Sequence, residues 1–160
     1  FEESNGYMLN QAVRDKDGVM AAVAIAEIAT LSKANGVTLI EQLESLHKLY
    51  GYSAEGSVCV EGIGVGERFM EHLRTLDGKL GEPGTELGVL DVKNYTDYLP
   101  ESNVLLYELN GLDWIAFRPS GTEPKFKIYF GFYGAESAAE SRLERISKAV
   151  VAEVDKYKEN

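Results

Sequence analysis

Between Lys125 and Phe132 the chain reads Lys-Phe-Lys-Ile-Tyr-Phe-Gly-Phe, so Phe126, Ile128, Phe130 and Phe132 fall at every second position. Period two puts these four side chains on one face of an extended strand and Lys125 and Lys127 on the other. A strand divided in this way lays its apolar face on a core and leaves the other to solvent, which selects an antiparallel sheet covered on one side. Upstream, Val104 to Leu109 and Asp113 to Arg118 are extended in character and flank Asn110-Gly111, a short hairpin signal. Three successive strands of an antiparallel meander are therefore expected. A long amphipathic helix follows them, with Leu143, Ile146, Val150, Val154 and Tyr157 on one stripe.

Earlier in the chain, Asp17 to Asn35 reads as a helix with Asp17 as cap and Asn35-Gly36 as stop signal. Val19, Met20, Val23, Ile25, Ile28 and Leu31 spread around much of its circumference, which predicts burial between two layers. Thr38-Leu39-Ile40-Glu41 has the form of a capping box and opens a second helix, with Leu39, Leu43, Leu46 and Leu49 inward and Gly51 closing it. Two helices cannot cover that much apolar surface, and the chain starts at Phe1 without a methionine; both are expected of a fragment of a larger unit. Tyr52 to Glu61 is an extended connector or strand, and Gly62, Gly64 and Gly66 lead into a helix carrying Phe69, Met70, Leu73 and Leu76. These glycines lack the spacing and the following acid of a dinucleotide-binding turn. Gly78 to Gly88 is a turn-rich loop and Val89 to Tyr95 a strand. The fold class is thus α+β, an antiparallel sheet with helices on one face, preceded by a helical remnant of a further unit.

Two of the meander's strands are joined by Arg118-Pro119-Ser120-Gly121-Thr122-Glu123-Pro124-Lys125. An Arg can fork onto two phosphate oxygens, and Ser and Thr hydroxyls with the amides of a Gly-containing turn add donors. From Arg118 to Phe130 there are three cations and one acid, a local balance of +2 in a chain whose net charge is −10. The alternative is an ordinary turn, for which Pro, Ser, Gly and Thr are common residues. The acidic total argues against nucleic acid or an anionic membrane as general partner, whereas screening over about 8 Å leaves a local basic patch free to act.

No apolar run approaches the ~20 residues of a membrane span. Cys59, the single cysteine, excludes an intrachain disulfide; it lies in an apolar run and is expected to be a packed thiol. These features make cytoplasm the default compartment. His47 and His72 lack partners at metal-ligand spacing, and Trp114 is expected to pack on the sheet. At the N-terminus, Phe1-Glu2-Glu3-Ser4-Asn5-Gly6-Tyr7 is consistent with an acidic surface loop or with a reader of sugar hydroxyls. Val13-Arg14-Asp15-Lys16-Asp17-Gly18 suits a solvated helix start, and Arg14 and Lys16 equally suit an anionic ligand.

In their order and separation, FEESNGY, VRDKDG and RPSGTEPK resemble three motifs of the α-D-phosphohexomutases, a family that includes phosphoglucomutases and phosphomannomutases. The resemblance covers essentially the whole chain. It implies that residues 1–51 are a helical remnant of an α/β domain, the C-terminal portion of a sugar-binding domain three. Residues 52–160 would be a connector and a phosphate-binding domain four with a TATA-binding-protein-like fold. Arg118, Ser120, Gly121 and Thr122, with Lys125 and Lys127, would then hold the phosphate that is not being transferred. Glu2, Glu3 and Ser4 would bind sugar hydroxyls, and Arg14 and Lys16 would line the cleft.

The family's reaction interconverts sugar 1- and 6-phosphates through a bisphosphorylated sugar such as glucose 1,6-bisphosphate, using a phosphoserine and Mg²⁺. Neither the phosphoserine loop nor the Asp-rich metal loop is found in this sequence, so no catalytic residue is assigned and the chain alone is expected to be inactive. The implied partners are a small phosphosugar and the N-terminal domains of the same polypeptide. Glucose, mannose and pentose phosphates all remain open. So does a free-standing phosphate-binding or regulatory module with no chemistry of its own.

Overall fold

The computed structural model describes residues 7–9, 14–76, 88–91, 101–109 and 111–158. It divides into two compact units, Phe1–Tyr50 and Gly51–Asn160.

In the first unit, α1 spans Gly18–Ala34 and α2 spans Leu39–Tyr50. The Asp17 carboxylate accepts from the Val19 amide at 2.7 Å, occupying one of the donors that a helix start leaves unpaired. At α2 the capping box is reciprocal: the Thr38 amide donates to Glu41 Oε2 at 2.7 Å and the Glu41 amide to Thr38 Oγ1 at 3.2 Å. These bonds, from the Thr38 amide first and its hydroxyl second, hold the Glu41 carboxyl below its ordinary value. The axis turns by 93° between the two helices.

The expected inward packing of these helices is not met within the unit. Val19 is 74% exposed, Val23 64%, Ile40 70% and Leu49 71%, and Leu39, Leu43 and Leu46 are also open to solvent. One short helix crossing another covers only a strip of each, and an apolar circumference like that of α1 requires further layers.

The second unit runs β1 (Tyr52–Glu61), α3 (Val65–Thr75), β2 (Gly88–Asp91), β3 (Leu105–Glu108), β4 (Trp114–Pro119), β5 (Lys125–Gly134) and α4 (Glu136–Asp155). The strands form one antiparallel sheet in the order β1-β5-β4-β3-β2. The extended stretch at Tyr52 is therefore a full strand, and it pairs with β5 from Tyr52↔Gly134 to Glu61↔Lys125. The turn between β3 and β4 is wider than Asn110-Gly111: it closes with the Leu109 amide on the Asp113 carbonyl at 2.8 Å, with Gly111 at φ 80°. Asn110, and the predicted strand beyond Asp91, lie outside the described residues.

Phe126, Ile128, Phe130 and Phe132 are buried as the alternation requires, and Ile115, Phe117, Leu105 and Tyr107 extend the same inner face across β4 and β3. Phe69 and Met70 of α3 and Ala139, Val150 and Val154 of α4 complete the core. Phe69 packs edge-on to Phe126 at 5.9 Å between centroids and to Tyr157 at 5.3 Å, joining sheet, α3 and the end of α4. Both helices thus cover one face. A mostly buried Asp113 anchors α4, accepting from the Tyr133 amide at 2.7 Å and from the Arg142 guanidinium, which also donates to the Tyr133 carbonyl. No single helix among the described residues is long and apolar enough to cross a membrane.

Candidate functional site

The segment Ser120–Pro124 turns the chain from β4 into β5 at one end of the sheet. Its base is closed by the Ser120 amide on the Lys125 carbonyl at 2.8 Å. Inside the turn, the amides of Glu123 and Thr122 donate to Ser120 Oγ at 3.2 and 3.4 Å. Sequence alone directed all the turn's donors at a ligand, and here two amides organise the turn instead. Ser120 keeps its hydroxyl proton to donate outward, while Gly121 and Thr122 stand exposed at the tip.

Below the turn, Arg118 of β4 lies directly across from Lys127 of β5. Both are exposed, on the face away from the helices, and neither side chain makes a hydrogen bond or ion pair with the described residues. Lys125 differs: its Nζ lies 3.1 Å from Glu123 Oε2, a contact that raises its pKa.

A cleft of about 270 Å³ separates the turn from the start of α3. Its far wall is Gly62 to Glu67, the glycine-rich stretch that sequence reasoning set aside. The Gly62 amide donates to the Pro124 carbonyl at 3.0 Å. A Cβ on Gly66 would meet Phe126 at 2.9 Å and Pro119 at 3.1 Å, so glycine lets α3 seat against the base of the turn. The pattern of three glycines was visible, but their use depends on a tertiary approach that spacing does not encode.

Cys59, expected to be packed, is exposed and faces Lys127 across the β1–β5 ladder. Arg14 and Lys16 are exposed in the first unit just before α1. Glu2, Glu3 and Ser4 lie outside the described residues. Among the described residues no three His, Cys, Asp or Glu side chains are grouped to hold a metal ion. Magnesium, implied for the family, is therefore given no ligands here.

Residues 1–50 match the model for phosphoglucomutase/phosphomannomutase, alpha/beta/alpha domain III. A probable phosphomannomutase of Haemophilus influenzae is 29% identical over 149 residues, covering 89% of this chain and 30% of its own length. A human phosphopentomutase is 34% identical over 149 residues, covering 81% of this chain and 24% of its own length. Among solved structures, the open form of the Paramecium phosphoprotein pp63/parafusin, a phosphoglucomutase, aligns with 93% of this chain at a TM-score of 0.69 and 21% identity, over 29% of its own length. The chain thus spans less than a third of each of these three proteins. On the domain model, the related sequences and the shared fold, it belongs to the α-D-phosphohexomutase family and matches its C-terminal part.

Proposed function

We propose that the turn after β4 binds the phosphate of a phosphosugar, and that the chain is the substrate-holding part of an enzyme interconverting sugar 1- and 6-phosphates. The observation that carries this reading is the pair Arg118 and Lys127, two cations placed opposite each other and neither paired with a carboxylate of the described residues. Like charges directly across a ladder destabilise a sheet, and a dianion seated between them reverses the sign. In this reading Arg118 forks onto two phosphate oxygens, the Ser120 and Thr122 hydroxyls and the Gly121 amide donate at the tip, and Lys127 adds charge. Lys125 joins them once it leaves Glu123.

Residues 1–51 then act as the end of the sugar-binding domain, with Glu2, Glu3 and Ser4 on the hydroxyls and Arg14 and Lys16 facing the anionic substrate. Residues 52–160 act as the phosphate-binding domain. A bisphosphorylated intermediate such as glucose 1,6-bisphosphate must present either end for transfer, so one site has to hold whichever phosphate is idle. Positioning of this kind supplies much of the rate of phosphoryl transfer. Magnesium, when bound in the whole enzyme, neutralises charge on the transferring group; the residues described here hold the other end of the substrate.

The test is a titration of the chain with glucose 1-phosphate and glucose 6-phosphate, with mannose and ribose phosphates for comparison. Saturable shifts of the Ser120, Gly121 and Thr122 amide resonances, lost in Arg118→Ala, are expected. Amides that stay unmoved at millimolar ligand sink the assignment.

A further inference from the structure

The cleft's far wall is held in place by a residue that does not itself line the cleft. Arg68 lies half-buried in the first turns of α3; its Nη2 donates to the Tyr157 carbonyl at 2.6 Å, and its Nη1 reaches the Ile63 carbonyl at 3.4 Å. The same Nη1 packs so closely on Gly64 that a Cβ there would meet it at 2.8 Å, and Gly64 sits at φ 68°, in the left-handed region. Arg68 Nε is buried with no hydrogen-bond partner among the described residues. Its acceptors are thus backbone carbonyls of two separate segments. A residue serving only the end of α4 would need the Tyr157 bond alone; the reach to Ile63 and the glycine beneath it go beyond that role.

The turn so gripped is in direct contact with the anion loop. Gly62, one residue before Ile63, donates its amide to the Pro124 carbonyl, and Gly66 seats against Pro119 and Phe126 at the two feet of the loop. From Tyr157 the connection runs through Arg68 to the Ile63 turn, and from there through Gly62 to Pro124. We infer that Arg68 is a positioning residue for the phosphate loop: it fixes the Gly62–Gly66 turn, which fixes the stretch from Ser120 to Pro124 in the shape that receives an anion. This rests on the reading of that loop as a phosphate site. The end of α4 thereby becomes part of the site's support, although it presents no group to the ligand.

The experiment compares Arg68→Gln and Arg68→Lys with the parent chain in two measurements. The first, made without ligand, is hydrogen exchange of the Gly62 amide. The second is binding of inorganic phosphate, followed at the Ser120 to Thr122 resonances. Arg68→Gln should speed Gly62 exchange and weaken phosphate roughly two- to thirtyfold, the range for residues that act on a site without touching it. Arg68→Lys, which keeps the charge and can reach one carbonyl but not both, should fall between. Exchange in the core of β5 should not change.

A residue that only caps α4 would instead lower the melting midpoint and loosen the last turn of α4, leaving Gly62 and the phosphate affinity as they were; that result overturns the inference. If Arg68→Gln does not fold, the Arg68→Lys comparison decides by the same two readings. If the parent chain binds no phosphate, or Arg118→Ala binds as well as the parent, the phosphate reading itself falls. Gly62 exchange in the Arg68 variants still shows whether this residue holds the loop.

Discussion

Replacing Lys127 with glutamine should make the ligand-free protein more stable and its phosphate binding worse. Lys127 and Arg118 are directly opposed across β4 and β5, with no carboxylate of the described residues paired to either. Cross-strand neighbours have Cβ atoms about 5 Å apart, so the two charges are held roughly 6 Å from each other. In a medium close to water, their repulsion is about 0.7 kcal/mol, and screening at 0.15 M salt reduces it to about 0.3 kcal/mol. For a domain of this size that raises the melting midpoint by about 1–2 °C at 0.15 M salt, about twice as much at very low salt, and not measurably at 1 M. The phosphate site loses a charge-assisted bond of about 1.5–3 kcal/mol, which weakens binding by about tenfold or more. Added phosphate stabilises whichever protein binds it better, so the two midpoints should cross as phosphate is raised. Thermal melts at three salt concentrations, with and without phosphate, measure all of this. A midpoint that falls in Lys127→Gln at low salt, or phosphate stabilisation equal to that of the parent, would refute the idea of a pair held ready for an anion.

Asp113→Ala should destabilise the second unit by about 1–3 kcal/mol in urea unfolding, because it leaves the Tyr133 amide without its acceptor and takes the partner from a partly exposed Arg142. Asp113→Asn should cost less, since it keeps an acceptor. In the first unit, the Glu41 carboxyl is lowered from 4.5 by its bonds from Thr38, so its contribution is complete above that ordinary value and is lost as pH falls through the lower folded-state value. Circular dichroism should show helix lost in that acid window, and Glu41→Gln should remove that acid-dependent part. Unchanged acid melting in Glu41→Gln would reject the link.

How far the sequence could be read depended on whether each feature is local. The β5 alternation is a property of eight consecutive residues, and it placed Phe126 to Phe132 on the core and Lys127 outside. Both helix starts in the first unit were legible for the same reason, since Asp17 and Thr38-Glu41 act within one turn. Cys59 was misplaced because Val58-Cys59-Val60 looks uniformly apolar; in a strand it must point with Ser57 and Glu61, away from the core. The opposition of Arg118 and Lys127 depends on hairpin register, which the turn's own bonds set. The task of Gly62, Gly64 and Gly66 involves Pro119, Arg68 and Phe126, which no local pattern brings together. The exposed faces of α1 and α2 show the same limit from the other side, because an apolar stripe indicates that something covers it without indicating what.

The pairing of β1 with β5 also bears on how the second unit is made. β1 leaves the ribosome before the other described strands of the sheet, yet its partner among them is β5, the last of the five. Until β5 emerges, the backbone edge of β1 lacks the strand it pairs with, and closing so long an intervening loop is entropically slow. Chaperone protection of nascent chains should therefore persist until β5 has left the ribosome.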